Sequence, residues 1–243
     1  MIENHFDEEI AETYDEDEAT HFAASTVDPA VDLLQELAGD GRALELGIGT
    51  GRIALPLAAR GVPVHGIDLS EAMVRRLEAK PGGANIGVTI GDFATTTVAG
   101  EFTLAYLVFN TIMNLTSQQA QVDCFRNAAA HLAPGGRFLI EVGVPDLRRL
   151  PPGQLTVPFH VGAEHWGFDT YRPATQYMAS HHLHWEDGQA RYSVCPFRYV
   201  WPAELDLMAQ LAGMRLRSRW AGWDRGPFGD DSEQHISVWE KVS

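Results

Sequence analysis

The run Glu45-Leu46-Gly47-Ile48-Gly49-Thr50-Gly51 constrains this chain more than any other feature. Three glycines at alternate positions separate a short apolar run, 43–46, from a helix-period segment, 52–60. Glycine permits positive φ and lets a ligand approach the backbone closely. At a turn from strand to helix, that is what a cofactor site requires. The spacing is GxGxG rather than GxGxxG, and no Gly-Lys-Ser/Thr follows, so a Walker-type phosphate loop is excluded. Glu45 stands directly before the loop. A carboxylate there is poorly suited to a pyrophosphate; it suits a cationic ligand group, or a glycine-rich backbone that it can organise.

The surrounding pattern supports that context. Short apolar strands are expected at 43–46, 64–67, 87–90, 104–109 and 137–142, alternating with helices at 52–60, 71–79 and 117–132. Such alternation signals a parallel sheet covered on both faces. Residues 43–143 thus form a cofactor-binding core. Before it, residues 1–42 read as a helical, acidic lid segment. Glu8, Glu9, Glu12, Asp15, Glu16, Asp17 and Glu18 crowd one stretch without a basic residue, a pattern of solvated, partly mobile chain. Asp28-Pro29 is expected to start the next helix and Gly39 to stop it. After the core, residues 144–201 form a substrate-side insert with a β-hairpin, 177–185 and 190–200, turning at Glu186-Asp187-Gly188. Residues 202–243 add a helix from Pro202 to a stop at Gly213, then two strands, 215–220 and 235–239.

Two acids recur at strand ends. Asp68, in Gly66-Ile67-Asp68-Leu69-Ser70, follows Gly51 by 17 residues and can accept two hydrogen bonds from a ribose diol. Asp92, in Gly91-Asp92-Phe93, can accept from an adenine amino group while Phe93 packs on its ring.

Composition bounds the partners. With 243 residues, 45% of them hydrophobic, the chain can bury its own core. A net charge of −15 repels phosphate backbones, so no nucleic acid is expected. Arg215, Arg217 and Arg219 read as one solvated strand face. No window approaches about 20 uncharged apolar residues, and the start, MIENHFDEEI, lacks a secretory pattern, so neither membrane nor export is expected. Two cysteines, Cys124 and Cys195, make no disulfide framework; a reducing, cytoplasmic setting follows as an expectation.

Together, ELGIGTG, GIDLS, GDF and LAPGGRFLIEV resemble the class I S-adenosylmethionine-dependent methyltransferases, strongly over about residues 40–143. The resemblance implies an α/β fold with a seven-stranded, mostly parallel Rossmann-like sheet of order 3-2-1-4-5-7-6, the last strand antiparallel. It implies S-adenosylmethionine as cofactor and S-adenosylhomocysteine as product. It places Gly47, Gly49 and Gly51 at the methionine moiety, Asp68 at the ribose, Asp92 at the adenine, and Glu45 in support of the amino-acid end. Leu69, Phe93 and Phe109 join that set, and Tyr14 is the residue that would close over the cofactor. Within the family the chain looks most like enzymes of the small-molecule branch acting on sugars, amines or natural products. A small-molecule acceptor is implied, on a monomer or homodimer. Two alternatives stay open: a repurposed member that binds the cofactor but catalyses another reaction, such as a cyclisation, and a non-enzymatic partner subunit.

Acceptor-side groups are expected after strands four and five. Asn110, Met113 and Asn114 belong to the first region; His165 and Trp166 would wall the pocket from the second. Strand alternation puts His182 and His184 on one face and His181 on the other. Either of the first two is a candidate general base for a hydroxyl acceptor. Two histidines at i and i+2 can also share a metal, but the sequence identifies no third ligand, and no metal is expected.

Overall fold

A computed structural model describes residues 6–17, 22–186 and 188–242. The N-terminal helices are α1 (Glu8–Asp17) and α2 (Ala24–Ala38). The core follows as β1 (Ala43–Leu46), α3 (Ala54–Ala59), β2 (Val64–Asp68), α4 (Glu71–Ala79), β3 (Gly87–Ile90), β4 (Phe102–Leu107), α5 (Gln118–His131) and β5 (Leu132–Gly143). The insert contributes β6 (Thr156–Val161), β7 (His165–Arg172), β8 (Tyr177–Glu186) and β9 (Gln189–Arg198). The chain ends with α6 (Pro202–Leu211), β10 (Met214–Trp220) and β11 (Gln234–Lys241).

The large sheet has the order β3-β2-β1-β4-β5-β11-β10. The β1–β2, β1–β4, β2–β3 and β4–β5 pairs are parallel, and β11 is antiparallel to both neighbours. This is the expected topology. Alternating residues supply two cores, one on each face. Ala105 and Leu107 of β4 and Phe138 and Ile140 of β5 meet α5 and α6 on one side. Leu104, Tyr106 and Leu139 meet α2 on the other. Phe125, Phe138 and Trp239 pack edge-on or tilted, with centroids 5.1–6.3 Å apart. Ser70 and Ser117 cap α4 and α5 by accepting from the amides of Met73 and Ala120.

Three expectations are corrected. The second helix begins at Ala24, not at Asp28-Pro29, and Pro29 lies inside it. Val27 is buried one turn before Ala30 and Val31, so an extra turn extends the apolar stripe at the cost of the amide that proline lacks. The insert is a four-stranded antiparallel sheet, β6-β7-β8-β9, rather than a hairpin alone. Pro158 and the bulge between Pro158 and His160 break the two-residue period that would have marked β6. The three arginines do not share a face. A bulge between Leu216 and Ser218 shifts the parity, so Arg215 lies opposite Glu240 but Arg219 lies opposite Ser237. Arg215 and Arg217 pair with Glu240, whereas Arg219 turns to Asp206 of α6.

The small sheet is tied to the core by one nearly buried ion pair. Arg198, at the end of β9, reaches Glu204 on α6 at 2.8 Å and also bonds Gln121 of α5 and Gln176. Burial pushes the Glu204 carboxyl up, but hydrogen bonds from Arg198, Gln176 and Gln118 outweigh it and hold the group below its ordinary value. Removing one partner leaves the other charge uncompensated. Arg198→Ala should therefore cost about 3–5 kcal/mol in denaturant unfolding. A loss below about 1 kcal/mol, the scale of an exposed pair, would show that this link does not hold the insert.

Candidate functional site

The site forms where β1, β2, β3 and β4 end together. Three glycines leave β1 with positive φ: Gly47 at 76°, Gly49 at 54° and Gly51 at 81°. The Gly47 and Ile48 amides donate to the Ile67 carbonyl at 2.8 and 3.2 Å. The Gly49 amide donates to Asp68 Oδ2 at 2.7 Å. The loop is thereby fixed to the end of β2. Their reasons for being glycine differ. A Cβ on Gly47 would stand 2.7 Å from Thr111 Cγ2, and one on Gly51 would stand 2.3 Å from Leu77 Cδ1. Gly51 therefore serves packing against α4 and lies outside the cofactor cavity, while Gly47 and Gly49 line it.

That cavity is lined by Gly47, Gly49, Asp68, Leu69, Asp92 and Phe93, together with Tyr14, Phe6, Asn114 and Cys195. The structure thus brings together most of the expected cofactor residues. Asp68 also accepts from the Ser70 amide at 2.8 Å. Each of its carboxylate oxygens keeps acceptor capacity for a ligand diol. Burial raises its pKa, against the hydrogen bonds from the Ser70, Gly49 and Leu69 amides. Asp92 is held by the Ala94 amide at 2.8 Å. Two acids flanking the apolar Leu69 and Phe93 suit a nucleoside, and the open backbone at Gly47 and Gly49 suits the chain attached to it.

Glu45 sits lower, 3% exposed, in a smaller adjoining cavity with Thr50, Phe109, Thr111 and Tyr14. Burial pushes its carboxyl up to about 8, opposed by the Tyr106 hydroxyl, which donates to it at 2.8 Å, and by the nearby Arg52.

Phe109 and Asn110 both adopt left-handed backbone, with φ of 58° and 59°. Such residues cost of order 1–3 kcal/mol each and need support from their surroundings. Glu141 supplies it: its carboxylate accepts from the Phe109 amide at 2.9 Å and from Trp223 Nε1 at 3.1 Å. Asn110 Oδ1 in turn accepts from the Gly143 amide at 2.7 Å. Sequence reading missed Glu141; its place in an apolar strand end is the one local signal.

A groove beyond this turn is lined by Asn110 and Met113, by Arg148 and Arg149, and by Tyr171, Met178, Ser180, Tyr199 and Glu233. Cys195, in the cofactor cavity, pairs across strands with Ser180, in the groove, so the two spaces share a wall. Burial pushes the Cys195 thiol up to about 11 and, with Asp169, the Tyr171 hydroxyl up to about 12, so neither ionises at neutral pH. His182 and His184 share the sheet face of Met178 and Ser180, but the lining of neither cavity includes them. They meet His165 instead. Trp166, next to His165 on β7, projects to the opposite face, because alternation separates neighbours, and packs on Trp185. Phe6, Met73, Thr111, Leu115 and Cys195 were also missed. Cys195 reaches the site only through the β8–β9 pairing, which no local pattern encodes.

The acidic helix α1 closes the cavity. Glu8, Glu12 and Asp15 pair with Arg75, Arg76 and Lys80 at the edge of α4. Asp15 also accepts from the Thr50 hydroxyl at 2.6 Å, and Tyr14 packs edge-on between Phe6 and Phe22.

Residues 43–136 match a family model described as a methyltransferase domain. The chain is 26% identical over 246 residues to a cypemycin N-terminal methyltransferase from a Streptomyces species, covering 97% of each. Among solved structures it is 34% identical to the CcbJ methyltransferase from Streptomyces caelestis, covering 88% of this chain and 89% of that one, with a TM-score of 0.80. It shares its fold with SAM-bound CalS10, an amino pentose methyltransferase from Micromonospora echinaspora, at 21% identity, 90% and 91% coverage and a TM-score of 0.67.

Asp68→Ala should weaken S-adenosylmethionine binding by about 1.5–3 kcal/mol, the worth of hydrogen bonds to a charged acceptor. Gly49→Val should abolish binding while the far-UV dichroism stays that of the folded chain. Isothermal titration checks both; unchanged affinity in either variant removes that residue from the site.

Proposed function

Because the chain belongs to the class I S-adenosylmethionine-dependent methyltransferases, we propose that it methylates an amine nitrogen of a small natural product, such as an amino sugar or a peptide terminus. Its cofactor is S-adenosylmethionine, which when bound supplies an electrophilic methyl group on a sulfonium. The observation that carries the choice of nitrogen is the make-up of the acceptor groove. Asp146, Asp231 and Glu233 line it together with Arg148 and Arg149, Arg148 pairing with Asp146 and Asp231, and no histidine lines either cavity among the described residues. Carboxylates draw an ammonium group, and an amine that has lost its proton to water is itself a nucleophile, whereas a hydroxyl acceptor needs a base beside it. Tyr171 is held protonated and so supplies none. The amino pentose methyltransferase and the N-terminal methyltransferase among the relatives support the same reading.

In this reading the chain works mainly by alignment. Tyr14 and Phe6 on the N-terminal segment keep water from the cofactor cavity, and α1 acts as a lid. Asn114 faces the cofactor cavity, and Met113, Tyr171 and Ser180 of the groove hold the acceptor. His182 and His184, expected as bases from sequence, are one and two alternations beyond Ser180 along β8, about 7 and 13 Å away at the usual strand rise.

The test is turnover with a panel of small amines and their hydroxyl counterparts, followed by mass spectrometry. S-adenosylhomocysteine should form one-for-one with an N-methylated product. His182→Ala and His184→Ala should each lose less than about 10²-fold in turnover, since general-base help is worth about 10²–10⁴-fold. O-methylation alone, or a loss above about 10³-fold in either variant with cofactor affinity intact, would refute the reading.

A further inference from the structure

We propose that His165, His182 and His184 form a three-imidazole site for a late first-row divalent cation, with Zn²⁺ as the reference ion. His165 on β7 and His184 on β8 are direct cross-strand partners, and His182 lies two residues along the same face. One ring nitrogen from each lies within 4.8 Å of the others. Nε2 of His165 and Nδ1 of His182 are 3.1 Å apart. Two nitrogens bound tetrahedrally at the usual Zn–N length stand about 3.3 Å apart. The pair is therefore already spaced for a shared ion.

The donor set selects the ion. Imidazole nitrogen suits zinc, copper and nickel, whereas magnesium and calcium demand oxygen. Ligand histidines must be unprotonated. With no ion, one shared proton joins His165 to His182, and the rings of His165 and His184 stack at 4.2 Å. An ion would replace that proton. The His184 ring must then turn about its Cβ–Cγ bond so that its lone pair leaves the stack, and its exposed position gives it room. Phe159 packs 5.3 Å from the His182 ring. Three protein ligands leave a fourth position for water or a donor atom of another molecule. That position lies on the face that carries Ser180 and Met178, which line the acceptor groove.

The experiment is metal titration of the tag-free, chelator-stripped chain, followed by calorimetry with Zn²⁺ and by visible absorption with Co²⁺. One ion per chain should bind, and Co²⁺ should develop the intense bands of a low-coordinate nitrogen site. His165→Asn and His182→Asn should each weaken Zn²⁺ binding by about 10–100-fold or more, at least the cost of disturbing a ligand's outer partners. His181→Asn, on the opposite face, should leave it unchanged. Absence of saturable binding up to millimolar Zn²⁺ would overturn the site, as would equal affinity in the His165 and His182 variants. If those variants fail to fold, the wild-type Co²⁺ spectrum decides alone: weak octahedral bands refute the proposal. None of these readouts depends on methyl transfer.

Discussion

The hydrogen bond from the Gly49 amide to the Asp68 carboxylate is the contact on which the rest of the site depends. It joins the loop after β1 to the end of β2 and fixes a backbone turn that only glycine adopts without strain. Because β1 is an inner strand with parallel partners β2 and β4 on its two sides, that turn sits at the point where the chain's connections diverge. Ligands of open α/β sheets bind at such a switch point. The same carboxylate accepts from both the Gly49 and the Ser70 amides and lines the cavity. Its removal should therefore act on the loop and on affinity together.

The acidic N-terminus gains a physical role from the structure. As sequence it is a like-charged run that repels itself. As α1 it faces Arg75, Arg76 and Lys80. Exposed pairs of this kind are worth about 0–1 kcal/mol each, and buried Ala11, with Phe6 and Tyr14 beside it, adds an apolar contact to Ala72 and Met73 of α4. Asp15 joins the helix to the glycine loop through Thr50.

The cofactor half was legible because its signals are local. Apolar runs set the strands, and glycine spacing with the acids at positions 68 and 92 set the site. The acceptor half was not, because its walls come from pairings far apart in sequence. Cys195 meets the cofactor cavity through β9, and His165 joins His182 and His184 through the β7–β8 register. The third histidine that the sequence did not identify as a ligand partner was visible as a residue but not as a neighbour. Likewise a single bulge reversed Arg219, and one extra helical turn overrode a strong proline start signal. In each case tertiary burial or register outweighed local preference.

Hydrogen exchange with and without S-adenosylmethionine tests the central claim most directly, because it maps the binding surface on the unaltered chain. Amides of the glycine loop at 47–51, of the β2 and β3 ends at 68–70 and 92–94, and of α1 should all slow when the cofactor is present. The outer ends of β6 to β9 should not change. Protection confined to the small sheet, or no protection in the glycine loop at saturating cofactor, would contradict the assignment.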